Sequence, residues 1–276
     1  MGNSRIKTLV IAALLLVNIV FLAVIVIDAV TEAQSERQAN ENICTVLRAG
    51  GIAIDSSSII SDNRLVAMRT ARGDEAEASI AYAVLGPTDM TVQGVIHQYE
   101  SVGRGVAEFY SGGDFEIRVD SGAVLNSSGN VRTVQQLLRD MKLETSELIH
   151  TELAEGDTIT VVSSYRGASI FNCTIDFVFS GDVLVSVKGR YVTDFEPIED
   201  STIKSNVGAA LLGFLSAVMD DERGDVVCTR IDSVKSGYHH HVVGALGGEI
   251  TPVWLIATDM GSFYVFKATG DILPVV

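Results

Sequence analysis

The hydrophobic pattern divides the chain sharply at residue 27. From Leu9 to Ile27 there are nineteen residues without a formal charge; at about 1.5 Å of rise per residue they make a helix of roughly 28 Å, close to the ~30 Å hydrocarbon thickness of a bilayer. The run is longer than a secretory h-region, and Ile27-Asp28-Ala29 and Thr31-Glu32-Ala33 behind it are poor cleavage sites. The pattern therefore predicts an uncleaved transmembrane helix over 9–27. Arg5 and Lys7 precede it, and Asp28, Glu32 and Glu36 follow it. By the positive-inside bias, residues 1–8 form a cytoplasmic tail and everything beyond 27 lies outside the cell membrane.

Beyond the anchor, the periodicity alternates between 3.6 and 2. TEAQSERQANENICTVLRAGG reads as a stalk helix continuing from the anchor, with Ile43, Val46 and Leu47 on one face and Gly50-Gly51 as its stop. DNRLVAMRTARGD holds a strand and a turn, and Asp74 caps a second helix that Gly86-Pro87 ends. Residues 91–120 show three alternating, Gly-separated segments that predict a three-stranded meander. Helix NVRTVQQLLRDMKL, with Val131, Val134, Leu138 and Met141 on one stripe, precedes strands near 157–165, 168–179 and 182–191. Helix STIKSNVGAALLGFLSAVMDDE precedes strands near 226–236, 252–258 and 262–267.

This order predicts an α+β fold of repeated helix-plus-three-strand units, each helix packed on an antiparallel sheet. The polar, Gly-containing stretch 121–130 marks the expected junction. It divides a first extracellular domain, 28–125 with the stalk helix, from a second, 126–276.

Charge changes the picture more than composition does. All thirty-five acidic residues but only eighteen of the twenty Lys and Arg lie after residue 27, a formal charge of −17 on the exterior part. Phosphate binding needs a cationic face, so nucleic acid is excluded as a partner, and direct adhesion to anionic lipid is disfavoured for the same reason. Cys44, Cys173 and Cys228 are too few for a disulfide framework. Cys173 and Cys228 sit in strand patterns and are open to pairing, with three buried thiols the plainer reading. Asn126 and Asn172 lie in N-x-S/T triplets, relevant only in a eukaryotic secretory pathway.

The chemistry-bearing motifs are sparse. GxSxG, P-loop, HExxH and CxxC are all missing, and no catalytic residue or cofactor site is predicted. Within Tyr238-His239-His240-His241 only His239 and His241 share a strand face, so a metal there would need His97 or His150 as well. A solvated strand end is the plainer reading, and no metal is assigned; a pH-sensing role for the histidines stays open. Glu108 and Glu116 on neighbouring strands, and Asp220-Asp221-Glu222, read as solvated surface rather than a carboxylate pair for glycoside chemistry. Phe171, Phe177 and Phe179 read as core.

The C-terminal stretch ITPVWLIATDMGSFYVFKATGDI predicts a hairpin. Its strands are Pro252–Ala257 and Ser262–Lys267, with turns at Asp259–Gly261 and Thr269–Asp271, and Trp254 packs on the preceding helix. This Pro-x-Trp strand, Gly turn, Tyr-containing strand and Thr-Gly-Asp resemble the ending of the YycI-like family. More distantly they are similar to PepSY-type modules. The opening SRIKTLVIAALLLVN, a Ser-x-x-Lys-Thr stretch leading into a membrane helix with an Asn, resembles the start of the same family.

The YycI-like resemblance implies a non-enzymatic, membrane-anchored extracellular regulator of the cell-wall two-component system of Gram-positive bacteria. Its implied partner is the sensor histidine kinase, engaged partly through the transmembrane helix, and it leaves room for a second bitopic regulator. In this sequence Asn18 is an amide in hydrocarbon, where a cross-helix hydrogen bond contributes about 0.5 to 2 kcal/mol. Leu14, Asn18, Phe21, Leu22 and Ile25 form the expected partner-contact face, although a single tolerated amide is also compatible with a plain tether. The competing function classes are a tethered binding or inhibitory module for a peptide, protease or cell-wall fragment, and a surface hydrolase with an unrecognised site.

Overall fold

A computed structural model describes residues 34–35, 37–60, 65–120, 129–153, 156–202, 207–219, 228–244 and 247–275. The expected tail, the expected transmembrane helix 9–27 and its expected contact residues Leu14, Asn18, Phe21, Leu22 and Ile25 lie outside the described residues. So do Asn126 and Asp220-Asp221-Glu222. Among the described residues no helix is long and apolar enough to cross a membrane.

The described part opens with α1 (37–49), β1 (Ile59–Ile60), β2 (Val66–Ala71) and α2 (Asp74–Leu85). A meander of four strands follows: β3 (Asp89–Gln93), β4 (Ile96–Ser101), β5 (Gly105–Phe109) and β6 (Asp114–Val119). Helix α3 (Asn130–Met141) leads into β7 (Thr145–Leu153), β8 (Gly156–Tyr165), β9 (Ala168–Ser180), β10 (Val183–Arg190) and β11 (Thr193–Thr202). Helix α4 (Val207–Met219) leads into β12 (Ile231–Val242), β13 (Gly247–Thr258), β14 (Gly261–Phe266) and β15 (Ile272–Pro274).

The expected α+β fold of separate antiparallel three-stranded sheets, each packed with its helix, is overturned. Among the described residues strands dominate, and all fifteen belong to one connected mixed sheet. One half runs β3-β4-β5-β6-β10-β9-β8-β7 with antiparallel neighbours throughout. The other runs β11-β2-β13-β12, with β1 parallel to β12 and β14-β15 continuing from β13. Among the described residues the halves pair at one parallel register position, Ile170 with Tyr238.

The continuity has a physical cause in strands too long for one partner. In β9 the buried positions run Ile170, Cys173, Ile175, Phe177 and Phe179, so the period of 2 slips at Asn172. Before the slip β9 touches β12; after it β9 belongs between β8 and β10. Asn172 fills the break: its Nδ2 donates to the His240 carbonyl at 2.6 Å and its Oδ1 accepts from the His240 N–H at 2.7 Å. A side-chain amide thus stands in for a missing ladder pair.

Strand β13 makes a similar exchange. Gly247–Ile250 pair with β2 and Val253–Thr258 pair with β14. The sequence places Pro252 at the opening of the strand; it lies inside β13, where the neighbour changes from β2 to β14, and its carbonyl accepts from the Lys267 N–H at 3.0 Å.

Three apolar clusters follow. In the largest, α2 and α3 cover the first half-sheet, with Ile80, Leu85, Leu138, Ile117, Phe177 and Phe179 among its members. In the second, α1 and α4 lie over the other half, with Leu47, Leu211, Phe214 and Trp254. α1 is therefore docked rather than a free stalk, through Ile43, Cys44 and Leu47, and Val46 faces outward. A third, smaller cluster joins Leu65, Met68, Ile170, Cys173, Tyr238 and Ile250 where the halves meet.

Candidate functional site

Three places gather groups with chemical potential, and the first is the start of α2. Its inward stripe is Glu77, Ile80, Ala81, Val84 and Leu85, at the i, i+3, i+4 spacing of an amphipathic helix. The cap residue is Gly73, with no side-chain cap bond; Asp74 is the first helical residue rather than the cap. Glu77 thus occupies a position that the pattern reserves for an apolar group. Such a carboxylate requires partners, and Arg72 supplies them: Nε lies 2.6 Å and Nη2 3.3 Å from its two oxygens. The same guanidinium donates to the carbonyls of Val95 at 2.5 Å and Phe109 at 3.0 Å. His97 Nδ1 stands 2.8 Å from the second Glu77 oxygen and 3.6 Å from Asp74.

Asp74, Glu77 and His97 each bring one ligand atom within 4.8 Å of the others, a donor set of the kind that holds a divalent cation. Both Glu77 oxygens are already engaged, one by the guanidinium and one shared with His97. A cation there would sit against Arg72, so the arrangement fits a buried ion-pair network that staples β2, α2, β4 and β5. Its negative field is felt nearby: burial first, then the Glu77 and Asp74 charges, push the Tyr99 hydroxyl up to about 12. The signal in the sequence was a glutamate on the buried stripe of α2, with an arginine five residues before it.

The second place is the histidine run. The strand alternates as expected, but it separates the three residues by environment. His240 is 2% exposed and lines a cavity of about 30 Å³ together with Arg72, Glu77, Thr193 and Gly248, room for about one water. Burial first, then the Arg190 charge and its neighbouring histidines, lower its pKa to about 4. His239 packs edge-on against Tyr264 and Phe266 at 4.9 and 5.4 Å, and its pKa is also lowered, by burial first and then by the His241 charge. His241 faces Glu249 at 3.6 Å. His97 is in the α2 cluster and His150 is beside Asp157. The four histidines considered as a ligand set are therefore distributed over separate contacts.

The third place is an apolar groove of about 330 Å³ under the β8–β9 turn, lined by Leu65, Met68, Tyr165, Phe195, Pro197 and Tyr238, with Arg166 at its side. The Tyr165 ring lies 4.3 Å from Phe195 and 6.4 Å from Tyr238, so the aromatic surfaces are continuous. The turn joining β8 to β9 consists of Arg166 and Gly167, both at positive φ, 50° and 81°. This is the mark of a tight two-residue hairpin loop, in which Asn, Asp or Gly is the usual first residue. Arg166 instead holds its guanidinium carbon 5.3 Å from the Tyr165 ring centre.

The remaining sequence candidates resolve into structure. Glu108 and Glu116 are directly opposed across β5 and β6, and Arg118 stands 3.2 and 3.5 Å from them. Cys44, Cys173 and Cys228 are free buried thiols, and burial pushes Cys173 to about 12. Asn172 is occupied by its bonds to His240. Phe177 and Phe179 are core, whereas Phe171 stacks on Tyr264 on the opposite face. Trp254 shares the second cluster with α4, and Lys267 Nζ lies 3.8 Å from its ring centre.

No family model matches the chain, and no curated protein matches it. Among solved structures it is similar to an uncharacterized protein from Eubacterium rectale ATCC 33656, at 9% identity and a TM-score of 0.42, over 81% of this chain and 93% of that one. It is also similar to the C-terminal domain of Bacillus megaterium YpeB, at 9% identity and a TM-score of 0.36, over 75% of this chain and 99% of that one. The YycI-like resemblance rests on sequence motifs at the two ends of the chain and on its overall layout.

Proposed function

We propose that the chain is a single-pass membrane protein whose extracytoplasmic part regulates a sensor histidine kinase without catalysing a reaction. The anchor face of Leu14, Asn18, Phe21, Leu22 and Ile25 engages a kinase transmembrane helix, and the outer strands act on the kinase from outside. The observation that carries this reading is Asn18, an amide inside a nineteen-residue uncharged run with two cations before it and three acids after it. Regulation then works by differential affinity, shifting the kinase between conformations only as far as the binding energies differ.

In vivo crosslinking and co-purification of the tagged full-length protein test it. The kinase is recovered with wild type, reduced roughly two- to thirtyfold in Asn18→Leu, and lost when an unrelated membrane helix replaces 9–27. Equal recovery from all three makes the helix a plain tether and sinks the reading.

A second reading, a tethered module that binds a peptide or protein ligand through the outer part, is favoured by the groove beneath the β8–β9 turn. Its aromatic and aliphatic lining fits an apolar ligand with few polar anchors.

A further inference from the structure

We infer that the groove under the β8–β9 turn docks an extended peptide segment of a partner protein, with apolar side chains in the groove and an acidic residue on Arg166. The inference deepens the second reading above and rests on it, and it is independent of what the anchor contacts.

Three observations converge on this occupant. The lining is aromatic and aliphatic, with Tyr165, Phe195 and Tyr238 in one continuous ring surface and Pro197 and Met68 beside it. Rigid aromatic grooves lose little side-chain entropy on binding and suit extended or proline-containing segments. A saccharide needs several planar polar side chains around it, and this lining offers little beyond Arg166 and tyrosine hydroxyls.

The charge at the rim is the second observation. The exterior part carries a formal −17, and Arg72, Arg118, Arg190 and Arg230 each hold a carboxylate. Arg166 does not: among the described residues its guanidinium contacts only the Tyr165 ring. A guanidinium beside an aromatic groove, with no carboxylate paired to it among the described residues, is complementary to an acidic ligand group.

The third is the backbone. Arg166 occupies a left-handed position, φ 50°, in a turn where asparagine or glycine sits without strain. Non-glycine residues in that region recur at binding sites, where the position of the side chain matters more than the local cost. The turn also holds the backbone firmly: Arg166 N–H donates to Glu144 Oε2 at 3.1 Å. Phe195 and Pro197 come from β11, the terminal strand of the sheet order.

The test is selection of a phage-displayed random dodecapeptide library on the full-length chain in neutral-lipid nanodiscs. Enriched sequences are expected to combine apolar residues with Asp or Glu at a fixed offset. A synthetic peptide of an enriched sequence then loses about tenfold in affinity when its acid becomes lysine, and about tenfold on Arg166→Asn. It loses binding on Tyr165→Ala. Arg166→Asn keeps the fold, since asparagine accepts the turn, and an unchanged thermal midpoint verifies that.

The inference is overturned if no sequence is enriched, if enrichment shows no acidic preference, or if Arg166→Asn and Tyr165→Ala retain the peptide like wild type. Saturable binding of soluble cell-wall glycan strands without peptide enrichment also overturns it. A partner recovered through the outer part regardless of Tyr165→Ala keeps the second reading and removes only the groove.

Discussion

Arg72 and Arg166 each lie at the end of a strand, and the fold uses them in opposite ways. Arg72 has a side chain 9% exposed and donates to Glu77 and to the carbonyls of Val95 and Phe109, directing four hydrogen bonds into the protein. Arg166 is exposed and holds a left-handed backbone; its N–H donates to Glu144, and among the described residues its guanidinium meets only a tyrosine ring. One region is rich in ionisable groups and directs them at one another; the other is lined mostly by aromatic and aliphatic side chains, with Arg166 the charged residue of its lining. Ionisable clusters draw the eye in a search for function, but here the self-satisfied cluster is architecture and the sparse groove has capacity left for a ligand.

The largest expected effect breaks the first half of that comparison. Arg72→Leu leaves Glu77 buried without its cation and is expected to lower stability by about 3 to 5 kcal/mol, read as a shift in the urea midpoint. The double variant Arg72→Leu, Glu77→Leu is expected to recover most of the loss, because removing both charges also removes the cost of burying them. A double variant as unstable as the single would mean that the bonds to Val95 and Phe109, rather than the ion pair, hold the staple.

A smaller effect comes from His240, which lines the same small cavity as Arg72. Its folded pKa of about 4 lies below the ordinary 6.5. Below pH 6.5 the unfolded chain therefore takes up the proton that the folded chain refuses. Stability is present in full at neutral pH and is lost as pH falls from about 6.5 toward about 4, by roughly 2 kcal/mol at pH 5. Urea unfolding at pH 7 and pH 5 measures it, and in His240→Gln the difference should shrink. The same loss in the variant would place the acid sensitivity elsewhere, with His239 the next group to replace.

How much of this was legible in the sequence depended on whether a segment answers to one neighbour or two. The strands near 157–165, 168–179 and 182–191 match β8, β9 and β10 within a residue or two, because each is rich in β-branched and aromatic residues that enter the largest core, bounded by Gly-containing turns. β3 does not separate from β4 in the sequence, where 91–101 reads as one segment, because all five of its residues are exposed, which leaves no contrast to detect. The slip at Asn172 and the handover at Pro252 depend on strands distant in sequence, so local periodicity could not reveal that separate sheets are one. In the candidate sites, the histidines drew attention by adjacency and were divided by the strand's own alternation. Glu77 was visible as a charge on an apolar stripe, whereas the groove required β2, β8, β11 and β12 to come together.

The smallest effect sharpens the second half of the comparison. Arg166→Asn relieves a left-handed arginine, a strain of about 1 to 2 kcal/mol for most L residues, and gives up one exposed cation–π contact worth about 0.5 to 1 kcal/mol. The balance predicts a thermal midpoint equal to wild type or higher by up to about 1 kcal/mol of stability, together with weaker acidic-peptide binding. A clear loss of stability instead would mean that the guanidinium braces Tyr165 for the fold, making Arg166 a smaller version of Arg72. Unchanged or improved stability with impaired binding would place the arginine on the side of function, because the fold alone would be served at least as well by the residue the turn prefers.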